Sequence, residues 1–548
     1  MLRSLCFFLL FATSLSALEV VDVRWGFDGG VRAGHFNPLA IRVANPGLTA
    51  FDGEVSLQRS PDLGGVGCPL KTAVYLEPSG ERWLRFTPFV LGVPENWELR
   101  WGPLAEDQLT ISAAAHAKPA RLFFSADPSQ TPADIAAFPA GLLPPSASLL
   151  DGLALAALDH MPDWTEQQQA AFADWLRAGG QLHLTDSASF EGPLALLNNP
   201  AAAFRFGRGI VQRHPDLASI AAAASEAPVP DQYVAAQQRA TEQILGNLVS
   251  LAHPQHNWYL IILLVMAYVL LIGPVNFLLS RRLSDHRIAL AFFILCSIAF
   301  TALIGLAGQK GYDSLSGTRT FTYARSMGDH RWDTRKWSSI FTADGDRFRM
   351  RHPQPTFYSA ATRFETIDGS IRNGVDGAFE VGVPMYSSRP FISRGVCKHR
   401  SIVPRLEWSQ LADGKLSELQ IADSGDPIVA WAIHGGVFYR LKSVDGSLQI
   451  GETLTVAEFA KRWRKRYDRP YRYGHAGRPR DLVMRAIAER VLQDELVRKG
   501  PLPGHLSLLL LAPTPLDLQL ESEEGGLETG LTLFHYELPE RPFSTSQP

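Results

Sequence analysis

Carboxylate and imidazole side chains occur at three points where a predicted strand of the chain gives way to a loop. The residues are Asp127, Asp159, His160 and Asp186. Carboxylates can hold a cation, and a carboxylate near a histidine can take part in acid–base chemistry. Aspartates after strands are also common turn formers and helix caps. The four residues therefore predict either a ligand-binding rim or ordinary loop structure, and no cofactor, catalytic residue or metal ligand is assigned.

The elements that position these residues alternate between strands and a helix. The predicted buried strands are Leu122–Ser125, Gly152–Leu158 and Gln181–Thr185. Before the third strand, Thr165 and Gln168 form a capping pair, an apolar stripe follows, and Gly179 and Gly180 end the helix. Strand, helix and strand in this order predict a parallel α/β sheet. Ligands of such sheets lie beyond the carboxyl ends of the strands, where the four residues fall.

The phrase TEQQQAAFADWLRAGGQLHLT resembles the glutamine amidotransferase-like, flavodoxin-like domains of many exported bacterial membrane proteins. The resemblance implies this fold for residues 118–215. It does not imply the reaction, because an amidotransferase needs a cysteine nucleophile and this segment contains none. The chain also lacks the G-x-S-x-G pattern of many serine hydrolases.

The start of the chain predicts export. Residues 1–17 combine Arg3, a short apolar run and small residues, as a secretory signal peptide does. Seven short alternating segments separated by turn residues follow in residues 18–117. They predict an antiparallel β-sandwich of immunoglobulin-like type, serving as a spacer or a binding surface.

Two apolar segments, 258–279 and 288–307, are each about the ~20 residues that a helix needs to cross a bilayer. The loop 280–287 carries three arginines, called here the loop arginines: Arg281, Arg282 and Arg287. Positive loops stay in the cytoplasm, so both large flanking regions are predicted to face the periplasm across the inner membrane. Pro274 predicts a kink in the first span. A buried helical hairpin in a soluble protein is the alternative.

The composition excludes several classes of protein. The chain has 548 residues, 46% of them hydrophobic and 20% charged, with a net charge of −3. These values are not those of a disordered chain, a nucleic-acid binder or a polytopic transporter. No phosphate-binding G-x-x-x-x-G-K-[ST] segment is present, so ATP hydrolysis by this chain is not predicted. Residues 216–257 are predicted to form a helical stalk that leads into the membrane.

The region 309–548 is predicted to be an exported, β-rich α+β domain with a basic helix near 455–469. The basic residues, called here the basic cluster, are Lys461, Arg462, Arg464, Lys465 and Arg466. A basic surface outside the cytoplasm favours anionic lipid, an acidic partner or an envelope polymer over nucleic acid. An ordinary solvated helix face is an equally good interpretation.

Two cysteines remain in the exported regions, Cys68 and Cys397. A disulfide between them is one possibility in an oxidising compartment. Cys397 also lies in sequence among basic residues, which can lower the pKa of a thiol and make it reactive, but a catalytic role is not predicted for it.

The order of signal peptide, β-sandwich, amidotransferase-like domain, GPVNFLLSRRL hairpin and β-rich region resembles uncharacterised two-span membrane proteins of the bacterial envelope. These are similar to accessory components of ABC transporters or of MoxR and von Willebrand factor A systems. The resemblance implies envelope membrane proteins and membrane lipid as partners. Two hypotheses follow: a scaffold or ligand-binding component, or a periplasmic hydrolase or metal-dependent enzyme that uses the acidic rim.

Overall fold

The structure is a computed structural model of the chain, and it is multidomain and rich in strands. It describes residues 18–61, 67–92, 95–102, 105–114, 119–125, 135–186, 188–226, 234–251, 258–282, 286–312, 316–360, 366–399, 405–410, 416–422, 427–444, 447–455, 457–459, 461, 480–499, 505–523 and 528–539. The chain divides into two compact units. The first ends at Val234 and also includes Arg363–Gly374, and the second contains Ala235–Thr362 and the chain from Val375 onward.

The first unit begins with short antiparallel strands. They are β1 (Glu19–Trp25), β2 (His35–Phe36), β3 (Leu39–Ala44), β4 (Phe51–Arg59), β5 (Leu70–Leu76), β6 (Glu81–Phe86), β7 (Phe89–Val90), β8 (Glu95–Trp101) and β9 (Asp107–Ala113). Strands β1, β3 and β6 form one sheet, and β5, β4, β8 and β9 are consecutive neighbours in another. Along β3, buried and half-buried residues alternate, as in a strand with one face on a core. Each of the seven predicted strand segments contains a strand.

A mostly parallel sheet follows in the first unit. Its strands are β10 (Ala120–Phe124), β11 (Ala136–Ala137), β12 (Leu153–Leu158), β13 (Gln181–Thr185), β14 (Ala203–Phe206) and β15 (Gly209–His214), in the order β11-β10-β12-β13-β15-β14. The pairs are parallel except for the antiparallel hairpin of β14 and β15. Helix α1 (Glu166–Arg177) lies between β12 and β13 in sequence, and α2 (Leu217–Glu226) follows β15. The predicted strand, helix and strand are therefore present with parallel pairing.

The residues from which helix α1 was predicted define where it begins and ends. At its start, the Thr165 backbone N–H donates to Gln168 Oε1 at 2.9 Å, and the Gln168 N–H donates to Thr165 Oγ1 at 3.3 Å. Phe172 and Leu176 are fully buried on its inner face. Just beyond its end, a Cβ at Gly180 would lie 2.5 Å from the Trp175 ring. Only glycine fits there, so the predicted cap and stop signals are confirmed.

The second unit opens with helices α3 (Val234–Ser250), α4 (Trp258–Leu270), α5 (Asn276–Arg282) and α6 (His286–Tyr312). A π-helical turn, Leu271–Val275, joins α4 to α5 and contains Pro274. Proline has no N–H to donate, and the Asn276 N–H reaches back to the Leu271 carbonyl. The disturbance predicted at Pro274 thus takes the form of a widened turn.

Within the described residues, one helix is long and apolar enough to cross a membrane, the 24-residue Tyr259–Arg282. Helix α6 contains a shorter apolar stretch, Leu290–Gly305. The two helices contact each other: the Tyr268 hydroxyl lies 3.5 Å from Ser297 Oγ, and the Tyr268 and Phe300 ring centroids are 5.3 Å apart. The second membrane span, residues 288–307, remains a prediction.

The rest of the second unit is built on a wide sheet. The remaining strands are β16 (Gly317–Ser326), β17 (Arg331–Thr342), β18 (Asp346–Arg351), β19 (Thr356–Ala360), β20 (Gly369–Arg372), β21 (Ala378–Val383), β22 (Ser387–Lys398), β23 (Arg405–Gln410), β24 (Leu416–Ala422), β25 (Val429–His434), β26 (Val437–Val444), β27 (Ser447–Thr455), β28 (His505–Pro513), β29 (Glu521–Ser522) and β30 (Glu528–Pro539). Among the described residues, eleven strands pair in the order β19-β22-β17-β16-β30-β28-β25-β26-β27-β24-β23. Helix α7 (Arg480–Lys499) precedes β28. Strand β20 belongs to the first unit, where it pairs in parallel with β5.

A second layer covers part of the wide sheet. Strands β21, β18 and β29 are hydrogen-bonded neighbours. Phe379 of β21 contacts Phe391 of β22, with ring centroids 4.9 Å apart. Both phenylalanines are fully buried, so one face of β22 and of its neighbour β17 lies against this second layer.

Candidate functional site

The carboxyl ends of the parallel strands bring polar side chains together in the first unit. The carboxyl ends of β10, β12 and β13 lie side by side, since Phe124 pairs with Leu158 and Leu158 pairs with Leu184. The next position on each strand is polar: Ser125, Asp159 and Thr185. These residues and those beside them are called here the sheet edge.

Asp159 is the centre of one hydrogen-bonded group at the sheet edge. Ser125 Oγ donates to Asp159 Oδ2 at 2.5 Å, and His160 Nδ1 contacts Asp159 Oδ1. Thr185 Oγ1 donates to the Asp159 carbonyl at 3.1 Å. The carboxylate therefore lies between the serine and the histidine. In a nucleophilic triad the histidine lies between the other two and takes the serine proton, so this order does not activate Ser125.

Two histidines form a second group at the same edge. His183 Nδ1 lies 2.9 Å from His214 Nε2, and the rings stack with centroids 5.1 Å apart. Burial, and then the neighbouring His214, lowers the pKa of His183 to about 4. Burial also lowers the pKa of His214, against the opposing charges of Asp186 and Asp216. Both imidazoles are therefore held neutral at pH 7, with one proton shared between the facing nitrogens.

The four rim residues predicted from sequence have different outcomes. Asp159 and His160 are in direct contact. Asp186 is exposed, its backbone N–H donates to the His214 carbonyl at 2.9 Å, and its charge acts on His214. Asp127 lies outside the described residues. Among the described residues, no three His, Cys, Asp or Glu side chains are placed to hold a metal ion.

Sequence reasoning missed the contribution of His183 and His214. His183 faces His214 only because β13 and β15 are paired, and β15 was not identified as a strand. The signal was present in FRFGRGIVQRH, in which a glycine-containing turn, Gly207 and Arg208, separates two alternating segments. Asp216, just beyond β15, starts α2: its Oδ1 accepts from the Ser219 N–H at 2.8 Å.

The other predicted sites are described only in part. Lys461 of the basic cluster is exposed, and Arg462, Arg464, Lys465 and Arg466 lie outside the described residues. At the start of that helix, the Glu458 N–H donates to Thr455 Oγ1 at 3.1 Å, as in a capping pair. The loop arginines are exposed. The signal segment 1–17 is outside the described residues.

The basic neighbours of Cys397 in sequence do not make its thiol reactive. The side chain is 1% exposed, and burial raises the pKa of its thiol, although Lys336 and a hydrogen bond with Thr334 oppose that effect. A buried thiol of this kind is inert. None of the described cysteines, Cys68, Cys296 and Cys397, forms a disulfide.

No protein-family model and no curated protein matches this chain. A cycloisomaltooligosaccharide glucanotransferase from Paenibacillus sp., in complex with cycloisomaltoheptaose, aligns over 80% of this chain and 98% of its own, with 9% identity and a TM-score of 0.17. A β-D-mannosidase from Dictyoglomus thermophilum aligns over 81% of this chain and 76% of its own, with 8% identity and a TM-score of 0.14. Such scores do not define a shared fold, so the function is argued from the residues of this chain.

Proposed function

We propose that this chain is a membrane-anchored periplasmic scaffold or ligand-binding component of a bacterial envelope complex, without catalytic activity of its own. The observation that carries the proposal is the helix Tyr259–Arg282, whose apolar side chains point outward. Leu263 is 66% exposed and Met266 is 64% exposed. Apolar surface of this extent is unfavourable in water and favourable in lipid.

The direction of insertion follows from charge. The loop arginines lie at the end of α5 and the start of α6, where a tight connection between two spans would be. Positive residues beside spans remain in the cytoplasm. With an N-terminal signal peptide and a second span in α6, both large regions face the periplasm of the inner membrane.

Each exported part has a proposed task. The N-terminal strands form an immunoglobulin-like sandwich that acts as a spacer or binding surface. Residues 118–215 form a flavodoxin-like domain whose sheet edge, with Asp159, His160 and Asp186, is the ligand-binding rim. The hydrogen-bond order supports binding rather than catalysis, because the Asp159 carboxylate lies between Ser125 and His160 and the histidine is not placed to take the serine proton.

The proposed partners are other envelope membrane proteins, such as an ABC transporter or a MoxR and von Willebrand factor A system. These would supply the ATP hydrolysis for which this chain has no predicted site. The basic cluster is the proposed contact with anionic lipid headgroups. Nucleic acid is not a proposed partner.

A second candidate function is a periplasmic hydrolase acting at the sheet edge. The meeting of Ser125, Asp159 and His160 favours it, since a hydroxyl, a carboxylate and an imidazole are the groups of a nucleophilic triad, here in a different order. The metal-dependent version has no support among the described residues.

Reporter fusions test the topology. A periplasm-active phosphatase should be inactive when fused at Ser284 and active when fused after Pro548, because the first lies between the spans and the second after both. The opposite pattern would overturn the assignment. A C-terminal fusion that is inactive together with an inactive Ser284 fusion would show that the second segment does not cross.

Site-directed photocrosslinking in intact cells tests the rim. A crosslinker at exposed Asp186 should capture a partner or ligand, and one at exposed Arg205, which lies at the opposite edge of the same sheet, is the matched control. Capture from position 186 that exceeds capture from the control position, and that decreases when His160→Gln is added, supports a binding rim. Equal capture from both positions would refute it. Turnover of an ester or amide by the purified chain that is lost in Asp159→Asn would favour the hydrolase.

A further inference from the structure

A row of polar side chains crosses the centre of the wide sheet of the second unit. Strand register places Thr532, Thr322, Lys336, Ser393 and Tyr358 directly opposite one another on β30, β16, β17, β22 and β19. Residues opposite one another in a sheet share a face. All five are at most 2% exposed. This set is called the Lys336 row.

The Lys336 row lies on the face that the second layer covers. Ser338 is two residues from Lys336 on β17, so both point to the same side, and Ser338 pairs with Phe391. Phe391 contacts Phe379 of β21. The lysine side chain is therefore directed into the protein interior rather than toward solvent.

Polar residues around the row have hydrogen-bond partners. Thr320 Oγ1 lies 3.0 Å from Ser338 Oγ, Thr334 Oγ1 donates to the Gly395 carbonyl at 2.9 Å, and Thr532 Oγ1 donates to Thr514 Oγ1 at 3.0 Å. The sheet face is thus built to satisfy buried hydroxyls. The centre of the row is the exception.

Three buried donors at the centre have no hydrogen-bond partner among the described residues: Lys336 Nζ, Thr322 Oγ1 and Ser393 Oγ. They are consecutive in the row. Leaving one buried polar group unpaired costs about 1–3 kcal/mol, and more for a charged group. Three together, one of them a lysine, indicate that a group outside the described protein atoms accepts from them.

The acidic groups near Lys336 do not fill this role. Cys397, Glu528 and Asp517 act on Lys336 through their charge, and none is a hydrogen-bond partner of Nζ. Burial raises the pKa values of Cys397 and Glu528 and lowers the pKa of Lys336, which favours the neutral form of each group. Lys336 therefore needs an anion in contact with its Nζ to stay charged in the buried row.

We propose that the Lys336 row binds a monovalent anion of about the size of chloride, held by Lys336 Nζ and the hydroxyls of Thr322 and Ser393. Ammonium and hydroxyl groups are the donors that an anion requires. One bound negative charge balances the ammonium of Lys336, and the three donors occupy opposed positions on adjacent strands, which suits a small ion. This proposal is independent of the proposed function of the chain.

The first test measures thermal unfolding of the full chain in detergent micelles, with potassium chloride replaced by potassium gluconate at constant ionic strength. A ligand that binds only the folded state should raise the midpoint by about 2–4 °C for each tenfold rise in chloride above its dissociation constant. The Lys336→Met variant should show no chloride response. The matched control, Lys442→Met, removes an exposed lysine of the same sheet and should respond like wild type.

A wild-type midpoint that ignores chloride, or an equal chloride response in Lys336→Met, would overturn the proposal. The second test does not need the variant to fold. Crystals of the full chain grown in sodium bromide should show an anomalous peak within hydrogen-bonding distance of Lys336 Nζ. A site occupied by water alone, without an anomalous peak at saturating bromide, would refute anion binding.

Discussion

The neutral histidine pair at the sheet edge should make the first unit lose stability in mild acid. His183 has a folded pKa of about 4, well below its ordinary value of 6.5, because it is buried against His214. Between these two pH values the unfolded chain binds a proton at this position and the folded chain does not. Stability is therefore complete above pH 6.5 and is lost as the pH falls toward 4.

The size of the effect follows from the two pKa values. Each pKa unit corresponds to about 1.4 kcal/mol, so the fall from 6.5 to about 4 sets an upper limit of about 3.5 kcal/mol. Because His214 is only half-buried, solvent reduces this figure, and we expect about 2–3 kcal/mol between pH 7.5 and 4.5. The His183→Gln variant removes the titrating group and should lack this part of the pH dependence.

Urea unfolding followed by pulse proteolysis measures the free energy locally. Peptides from α1 and β13, identified by mass spectrometry, would report the first unit in the intact chain at pH 4.5, 5.5, 6.5 and 7.5. The stability difference between wild type and His183→Gln should decrease by about 2–3 kcal/mol as the pH falls over this range. A difference that stays constant from pH 7.5 to 4.5 would refute the reasoning.

Three further predictions concern packing, capping and topology. Gly209→Ala should destabilise the first unit by about 1–3 kcal/mol, because the added Cβ would lie 2.3 Å from the Leu176 carbonyl oxygen. The control is Gly141→Ala, whose added Cβ would have no atom within 4 Å. Equal urea midpoints for the two variants would contradict the expectation. Thr165→Ala should cost about 1 kcal/mol by removing the cap of α1, measured by the same proteolysis, whereas Thr165→Ser should restore most of it. Changing the loop arginines to glutamate should lower membrane insertion or export of the C-terminal region, without complete inversion, since the signal peptide exports the N-terminal region first. If protease added to spheroplasts digests both regions of that variant as in wild type, the loop does not determine topology.

The parts of the fold that the sequence predicted are those governed by local rules. The capping pair of Thr165 and Gln168 needs only three residues of separation, and it is present with both hydrogen bonds. Three strands of the parallel sheet, β10, β12 and β13, were recognisable as apolar runs, and the parallel pairing of β12 with β13 follows from the intervening helix. Asp159 and His160 were found for the same reason, since a strand end identifies the sheet edge.

The parts that were not predicted depend on pairing between distant segments. His214 reaches His183 only through the register of β13 and β15. In the second unit, Thr322, Lys336 and Ser393 occur in alternating segments that resemble solvent-facing strands, and the second layer that buries them cannot be read from their own sequence. The neighbours of Cys397 in sequence are basic, but they do not reveal that the fold buries its thiol.

The position of β30 has a consequence for how the second unit forms. Strand β16 is the first strand after α6, and it pairs in parallel with β30 from Thr318 opposite Glu528 to Arg325 opposite His535. One edge of β16 therefore stays unpaired while about 200 further residues are synthesised, and such non-local pairing slows folding. During that time the open strand edge can pair wrongly or aggregate, so the yield of folded chain should depend strongly on a chaperone even where the folded chain is stable.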